Sequence, residues 1–403
     1  MNAVGIVAEY NPFHLGHGWH IAQTRRLLGE DWPVLCVMSG NWVQRGECAL
    51  TDKWTRAAMA LSEGADLVLE LPLPWAVSSA EGFARGAISL LEASGVVDTL
   101  SFGSECGAVD RLKGAAASLD SSACQRELHH LMGEGFSFPA ARQEALRLSG
   151  GGQAELLSTP NNNLGIEYIR ALNALKSKIR PMTVTRVGEG HDGKPGKETD
   201  SPILSASTIR SKVRQGKWDE AVKGLPLRAK EVLQRAEIAD MKYIERAMLA
   251  RLRQMDEGNF SALPDNGKEE GLPLRLIRGA KKAKSLEEFY QLAKTRRYTH
   301  ARMRRLALWA FLGLTADDRS GDGAAYLRVL GMSEKGKNLL HEMKRSAKLP
   351  VLTKPAHIRE LDCAAQRLFE LECRGDDLFG LCFERIKPCG MNYTTGPVLF
   401  SPI

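Results

Sequence analysis

Apolar and polar positions along the first 190 residues fall into two alternating registers. Short runs rich in Val, Ile and Leu at residues 3–8, 33–38, 66–71 and 99–102 end at polar turns, as strands buried on both faces do. Between them, residues 16–28, 53–62 and 79–93 carry apolar side chains at helical spacing. Pro72 and Pro74 stop the third strand. This alternation predicts an α/β fold, a doubly wound parallel sheet of Rossmann-like type, with ligands at the carboxyl ends of its strands.

Residues 110–150 turn helical and read as an insertion or cap. A helix at 160–176, opened by Asn161, Asn162 and Asn163, and a strand at 182–187 follow. Residues 188–202 hold four Gly and two Pro and read as a loop or lid. Ser205 or Ser207 then opens a short helix. Beyond about residue 225 the pattern is helical at 229–255 and 285–314, separated by a Gly- and Pro-containing stretch near 259–272. Weaker helical patches lie at 335–347 and 358–373, and the tail after Pro388 reads as irregular. Two domains are expected: 1–220, carrying the insertion at about 110–150, and a mainly α-helical 225–403.

Composition narrows the class. The 403 residues are 43% hydrophobic and 26% charged, as in a globular protein, which excludes a disordered, collagen-like or coiled-coil chain. Asp66, Glu70, Glu81, Arg85 and Glu92 interrupt the longest apolar region, so no membrane span is expected. The first residues lack the basic start of a signal peptide. Eight cysteines without a C-x-x-C pair read as reduced thiols in a cytoplasmic protein.

Charge is concentrated in one place. Residues 275–305 hold eleven basic side chains against Glu287 and Glu288, a local +9 in a chain of +7, so the remainder sums to −2. Such a block fits RNA phosphates, with Tyr298, His300 and Trp309 as stacking groups, or else a solvated helix face. The spacing of Leu306, Trp309 and Ala310 instead suits a core.

The chemistry is densest where the first strand ends, at Glu9-Tyr10-Asn11-Pro12-Phe13-His14-Leu15-Gly16-His17. His-x-Gly-His opening a helix gathers two imidazoles and unpaired N–H groups around one point, which suits phosphate. Gly16 would let a ligand approach the backbone. A zinc site from His14, His17 and His20, or histidines serving only as core and cap, are the other readings.

His-x-Gly-His after a first strand resembles the HIGH motif of the nucleotidyltransferase superfamily. Ile203-Leu204-Ser205-Ala206-Ser207-Thr208-Ile209-Arg210 is similar to its second motif, about 190 residues later. Residues 4–17, together with Ser39-Gly40-Asn41-Trp42-Val43-Gln44-Arg45-Gly46-Glu47, Ser101-Phe102-Gly103-Ser104-Glu105, and the run from Pro160 through Asn162 to Tyr168, resemble the tRNA(Met) cytidine acetate ligase family. So does the basic run from Arg296 to Arg305. The resemblance covers about residues 1–315.

It implies an enzyme that condenses acetate with ATP to acetyl-adenylate, releasing pyrophosphate. The acetyl group then passes to N4 of the wobble cytidine of elongator tRNA(Met). Implied catalytic residues are His14, His17, Ser207 and Arg210. The implied ATP site runs through Val7, Ala8, Glu9, Tyr10, Asn11, Pro12, Phe13, His14, Leu15, Gly16, His17, Gly18, Trp19 and His20, and adds Gly103, Asn161, Asn162, Arg186, Val187 and Ser205. Asn162 reads the ribose or base, or caps its helix; Arg186 contacts nucleotide or lies idle at the surface; Glu105 orients a neighbour or begins a helix. Asn41, Gln44 and Arg45 form a loop for acetate or the cytidine. Lys281, Lys282, Lys284, Arg296, Arg297, Arg302, Arg304 and Arg305 are the implied tRNA contacts. ATP is expected to arrive with Mg²⁺, and neither a dedicated metal ligand, a membrane nor a protein partner is implied. Two other readings share the motifs: an adenylyltransferase acting on a small phosphorylated metabolite, and a non-catalytic RNA-binding protein on the same scaffold.

Overall fold

The structure is a computed structural model; it describes residues 2–150, 153–186, 203–265, 271–319 and 323–401. Its strands are β1 (Ala3–Ala8), β2 (Val34–Ser39), β3 (Trp42–Val43), β4 (Glu47–Cys48), β5 (Leu67–Leu71), β6 (Val97–Ser104), β7 (Arg180–Thr185), β8 (Leu327–Ser333), β9 (Val351–Leu352) and β10 (Val398–Phe400). The main sheet has the order β10-β8-β5-β2-β1-β6-β7, with β9 beside β8. Every pairing in it is parallel except β5 with β8. From β1 the chain moves outward through β2 to β5, then returns to place β6 on the other side of β1. That reversal opens a crevice between the carboxyl ends of β1 and β6, where ligands bind in such sheets.

Both faces of the sheet are buried, as its uninterrupted apolar runs require. Val4, Ile6, Cys36, Met38 and Val68 pack one way, with residues of the helices Leu15–Leu28 and Lys53–Ser62. Ala3, Leu35, Val37, Leu67 and Leu69 pack the other way, with residues of Ala80–Ser94 and Pro160–Ala174. The period-two split between the two cores is the pleat of the strands. The region around 110–150 is three helices, Val109–Leu119, Ser122–Gly133 and Phe138–Leu148.

The helical half is more broken than its periodicity suggests. In place of 229–255 stand Leu227–Gln234 and Glu245–Gln254, because Ala239 and Asp240 leave the helix to donate their N–H groups to Leu50 and Cys382 carbonyls. In place of 285–314 stand Leu286–Ala293 and His300–Leu312, the second opened by the Thr299 hydroxyl accepting from Arg302 N–H. Leu272–Lys282 is a further helix. Leu227–Gln234 packs with Lys53–Ser62 in the core of Val4 and Ile6, while the other helices share a third core, which also takes in Trp42, Leu73 and Phe379.

The chain does not stay helical after residue 320. β8 lies fully buried in the main sheet, and the tail expected to be irregular contributes the Met391–Thr394 turn of helix and β10. Arg328 hid β8: a charge inside Leu-Arg-Val-Leu-Gly-Met-Ser reads as a break in an apolar run. Here it is 5% exposed and lies against the carboxylates of Glu70 and Glu372. No described helix is long and apolar enough to cross a membrane.

Candidate active site

The β1–β6 crevice is a cavity of about 490 Å³. Two helix starts face it: His14, Gly16, His17, Trp19 and His20 at the start of the first helix, and Ser205 to Ser207 at the start of Ala206–Arg214. Partial positive charge therefore converges from two directions on one space, the arrangement an anionic chain of phosphates needs.

His14 is 4% exposed and caps its own helix, with Nδ1 accepting from Gly16 N–H at 3.0 Å. His17 Nδ1 accepts in turn from His14 N–H at 3.2 Å, and the two rings stack at 3.7 Å. Because each Nδ1 is an acceptor, each ring carries its proton on Nε2, so both present N–H donors. Burial, aided by His14 and Arg186, holds His17 well below the ordinary histidine range, which keeps its ring neutral. His20 is pushed down to about 4 by burial and Arg186, and it bonds Ser101 Oγ at 2.9 Å. Among the described residues no three His, Cys, Asp or Glu side chains gather as a metal would require. The demand at Gly16 comes from inside the motif, since a Cβ there would stand 2.9 Å from the His14 ring.

The second motif closes the opposite wall. Ser205 Oγ accepts from Thr208 N–H and lies 2.9 Å from Ser207 Oγ. Arg210 is 8% exposed; it donates to the Asn11 carbonyl at 2.8 Å and to Glu47 at 2.9 Å. Its guanidinium thus locks the two motifs together at the base of the cavity.

On the β6 side, Glu105 accepts from Asn161 N–H, Asn161 Nδ2 and Asn162 N–H. It is the missing cap of the Pro160–Ala174 helix, whose N-cap Thr159 makes no side-chain cap bond. Asn162 is 3% exposed, accepts from Glu105 and Cys106 N–H, and does not line the cavity. Asn161 does line it and accepts from Arg186 Nη1 at 3.0 Å. A Cβ on Gly103 would approach Arg186 Cγ to 3.1 Å.

Val7, Ala8, Glu9, Tyr10, Asn11, His14, Gly16, His17, Trp19, His20, Gln44, Arg45, Gly103, Asn161, Arg186, Ser205, Ser207 and Arg210 share this one cavity. Pro12, Phe13, Leu15, Gly18, Asn162 and Asn41 are not on its wall, and Val187 lies outside the described residues. Phe13 is in the core, and its ring packs 4.8 Å from Tyr10. Asn41 is 2% exposed, with Nδ2 on Asp376 and Oδ1 on Lys53 N–H, so its amide holds the loop's base and cannot meet a substrate. Phe83, Phe102, Leu164 and Tyr168 supply an apolar wall.

A second concavity of about 430 Å³ lies in the helical half, lined by Arg275, Arg278 and Lys282 with Leu274, Leu292, Thr295 and Tyr298. Lys281, Lys282, Lys284 and Arg296 are exposed nearby. The four other residues of the basic set are half-buried. Arg297 donates to the Met132 carbonyl of the inserted helices, Arg302 to the Asp265 carbonyl, Arg304 lies over the Tyr290 ring, and Arg305 is half-buried. Tyr298 and Trp309 are 4% and 1% exposed, and the Trp309 indole donates to Val77 O, so neither ring is open to a base.

Comparison with known proteins follows the same outline. A family described as HIGH Nucleotidyl Transferase matches residues 1–392. The chain is 34% identical to the tRNA(Met) cytidine acetate ligase of Acetivibrio thermocellus over 99% of its length and 100% of that protein. It is 36% identical to that of Caldanaerobacter subterraneus subsp. tengcongensis, with 95% and 96% covered. The crystal structure of Thermotoga maritima TmcAL bound with alpha-thio ATP superposes at a TM-score of 0.91, with 32% identity and both chains fully covered. Its apo form gives 0.92.

Proposed function

This chain belongs to the tRNA(Met) cytidine acetate ligase family, within the HIGH nucleotidyltransferases, and we propose how its cavity performs that ATP-dependent ligation. The observation that carries the reading is the convergence of two helix N-termini, His14 and His17 with Ser205 and Ser207, on one cavity at the strand-order reversal. ATP lies with its adenosine beside Gly103, Asn161 and Arg186, against the apolar wall of Phe102 and Tyr168. Its triphosphate runs between the helix starts.

Acetate attacks the α-phosphorus in line; a new P–O bond forms, the bond to the β-phosphate's bridging oxygen breaks, and pyrophosphate leaves. His14 and His17 donate from Nε2 to oxygens that gain charge in this step, and Ser205 and Ser207 hold the departing phosphates. Neutral imidazoles suit this role, because they stabilise charge by donation without a proton transfer. Mg²⁺ would travel with ATP as part of the substrate and would offset the charge of its phosphates.

Gln44 and Arg45 line the cavity beside Glu9, on the side nearest the helical half, and receive acetate and then the wobble cytidine. The exposed charges of Lys281, Lys282, Lys284 and Arg296, joined by Arg275 and Arg278, bind the tRNA backbone. The test is incubation with ATP, labelled acetate and either tRNA(Met) or a transcript with the wobble cytidine replaced by uridine. Label entering only the first supports the reading, and label entering neither overturns it.

A further inference from the structure

Among the described residues, two carboxylates line the cavity, Glu9 and Glu105. Glu105 is consumed on both oxygens by the helix start it caps. Glu9 is half-buried at the carboxyl end of β1 and takes one hydrogen bond from the described residues, from Gln44 N–H to Oε1 at 2.9 Å. The remaining candidates for a base are poor. His14 and His17 spend Nδ1 on backbone N–H groups and so present donors, and His20 is bonded to Ser101.

Glu9 also stands on a definite side of the cavity. Gln44, which holds it, is two residues from Gly46, and Gly46 lies against the backbone of Arg304 and Arg305 in the helical half. Glu105, Asn161 and Arg186 form a separate hydrogen-bonded group at the β6 edge. Gln44 and Glu9 therefore sit next to the loop that contacts the helical half, apart from that group.

We propose that Glu9 is the general base of the second half-reaction, accepting the proton that the cytidine N4 amine releases as it attacks acetyl-adenylate. The inference rests on the ligase reading above. The amine lone pair forms a C–N bond to the acetyl carbon, the C–O bond to the AMP phosphate breaks, and AMP leaves. An N4 proton, made acidic as the C–N bond forms, passes to the Glu9 carboxylate and then to water. An exocyclic amine conjugated with a pyrimidine ring is a feeble nucleophile, so removing its proton during attack matters for this step and has no counterpart in the first.

Burial raises the Glu9 carboxyl above the usual carboxylate range, opposed by the Gln44 N–H bond and by Arg210 and Arg45, while Glu47 adds to the rise. Tyr168 also feels its charge. A stronger conjugate base is the outcome.

The test separates the half-reactions in Glu9→Gln. Acetate-dependent exchange of labelled pyrophosphate into ATP reads the first. Transfer of label from preformed enzyme-bound acetyl-adenylate to tRNA in a single turnover reads the second. Transfer is expected to fall about 100-fold or more, the usual worth of a general base, with exchange changed far less. Wild-type transfer should rise with pH to a plateau as a carboxyl ionises, and that rise should be missing in Glu9→Gln. Glu9→Asp, which keeps a carboxylate, should recover part of the transfer and its pH dependence. If Glu9→Gln does not fold, Glu9→Asp carries the comparison, with transfer reduced more than exchange.

Equal loss of both half-reactions would overturn the proposal and make Glu9 a nucleotide or Mg²⁺ contact. Undiminished transfer would overturn it in favour of the AMP phosphate or water as acceptor. Wild-type enzyme without acetate-dependent exchange would instead defeat the ligase reading itself.

Discussion

Gly46 and Arg304 meet backbone to backbone: a Cβ built on Gly46 would stand 2.7 Å from the Arg304 carbonyl carbon. Gly46 also has φ +75°, a conformation that only glycine adopts readily. The Gln44–Arg45 loop is thus seated on His300–Leu312, the helix that carries the end of the basic segment, with no side chain between. Gly46→Ala is expected to cost about 1–3 kcal/mol and to impair acetyl transfer to tRNA more than ATP binding. Urea denaturation and nucleotide titration check it; an unchanged unfolding midpoint would mean the contact is loose.

Under that loop lies a second relationship the pattern of residues hid. Lys53 is fully buried, and its ammonium lies 2.7 Å from both Glu70 and Asp376. Asp376 also accepts from Asn41, and the Trp42 indole donates to the Gly375 carbonyl, so the helix Cys363–Phe379 braces the loop from below. Glu70→Ala leaves Lys53 and Arg328 short of countercharge, and a loss of roughly 3–5 kcal/mol is expected. A change in the urea midpoint worth under about 1 kcal/mol would contradict it.

Much of the fold was legible because apolar periodicity and caps agreed. The first strand and the helix Lys53–Ser62 lie where their patterns put them, and Ser205 does cap its helix. Features that depend on distant partners were not legible. Lys53 and Arg56 face the core of a helix that reads as amphipathic, and they tolerate burial only because carboxylates and the carbonyls of Glu9, Ser39 and Gly40 reach them from elsewhere in the chain. Asn41 and Arg297 looked available for substrate, yet both are spent on internal bonds. The two motifs were visible as residues, whereas the Arg210 bridge between them depends on the fold.

Acid should weaken the protein through its histidines. His20 falls from the ordinary 6.5 to about 4, so the unfolded chain takes up the proton first. Stability is full above pH 6.5 and declines as pH falls toward 4. His17 acts in the same direction. The His20 loss is no more than ~3 kcal/mol, less what solvent screens at a half-buried ring. His20→Gln should flatten the curve of unfolding free energy against pH across that window. An equally steep curve in the variant would place the loss elsewhere.

Charge reversal distinguishes RNA-facing from structural arginines. Arg296→Glu and Lys282→Glu, both exposed, should weaken tRNA binding and lower its salt slope by about one each, leaving ATP affinity intact. Arg297→Glu should also destabilise the protein, because its guanidinium holds the Met132 carbonyl. Filter binding over a salt series, with thermal melts alongside, reads both effects. An equal salt slope in wild type and Lys282→Glu would remove that residue from the interface.

The central claim is that the His14–His17 turn activates acetate with ATP. The measurement that tests it most directly is pyrophosphate release from ATP, with and without acetate, in wild type and His17→Ala. Release that requires acetate and falls about 100-fold or more in the variant is the predicted result. ATP turnover indifferent to acetate, or unchanged by His17→Ala, would contradict it.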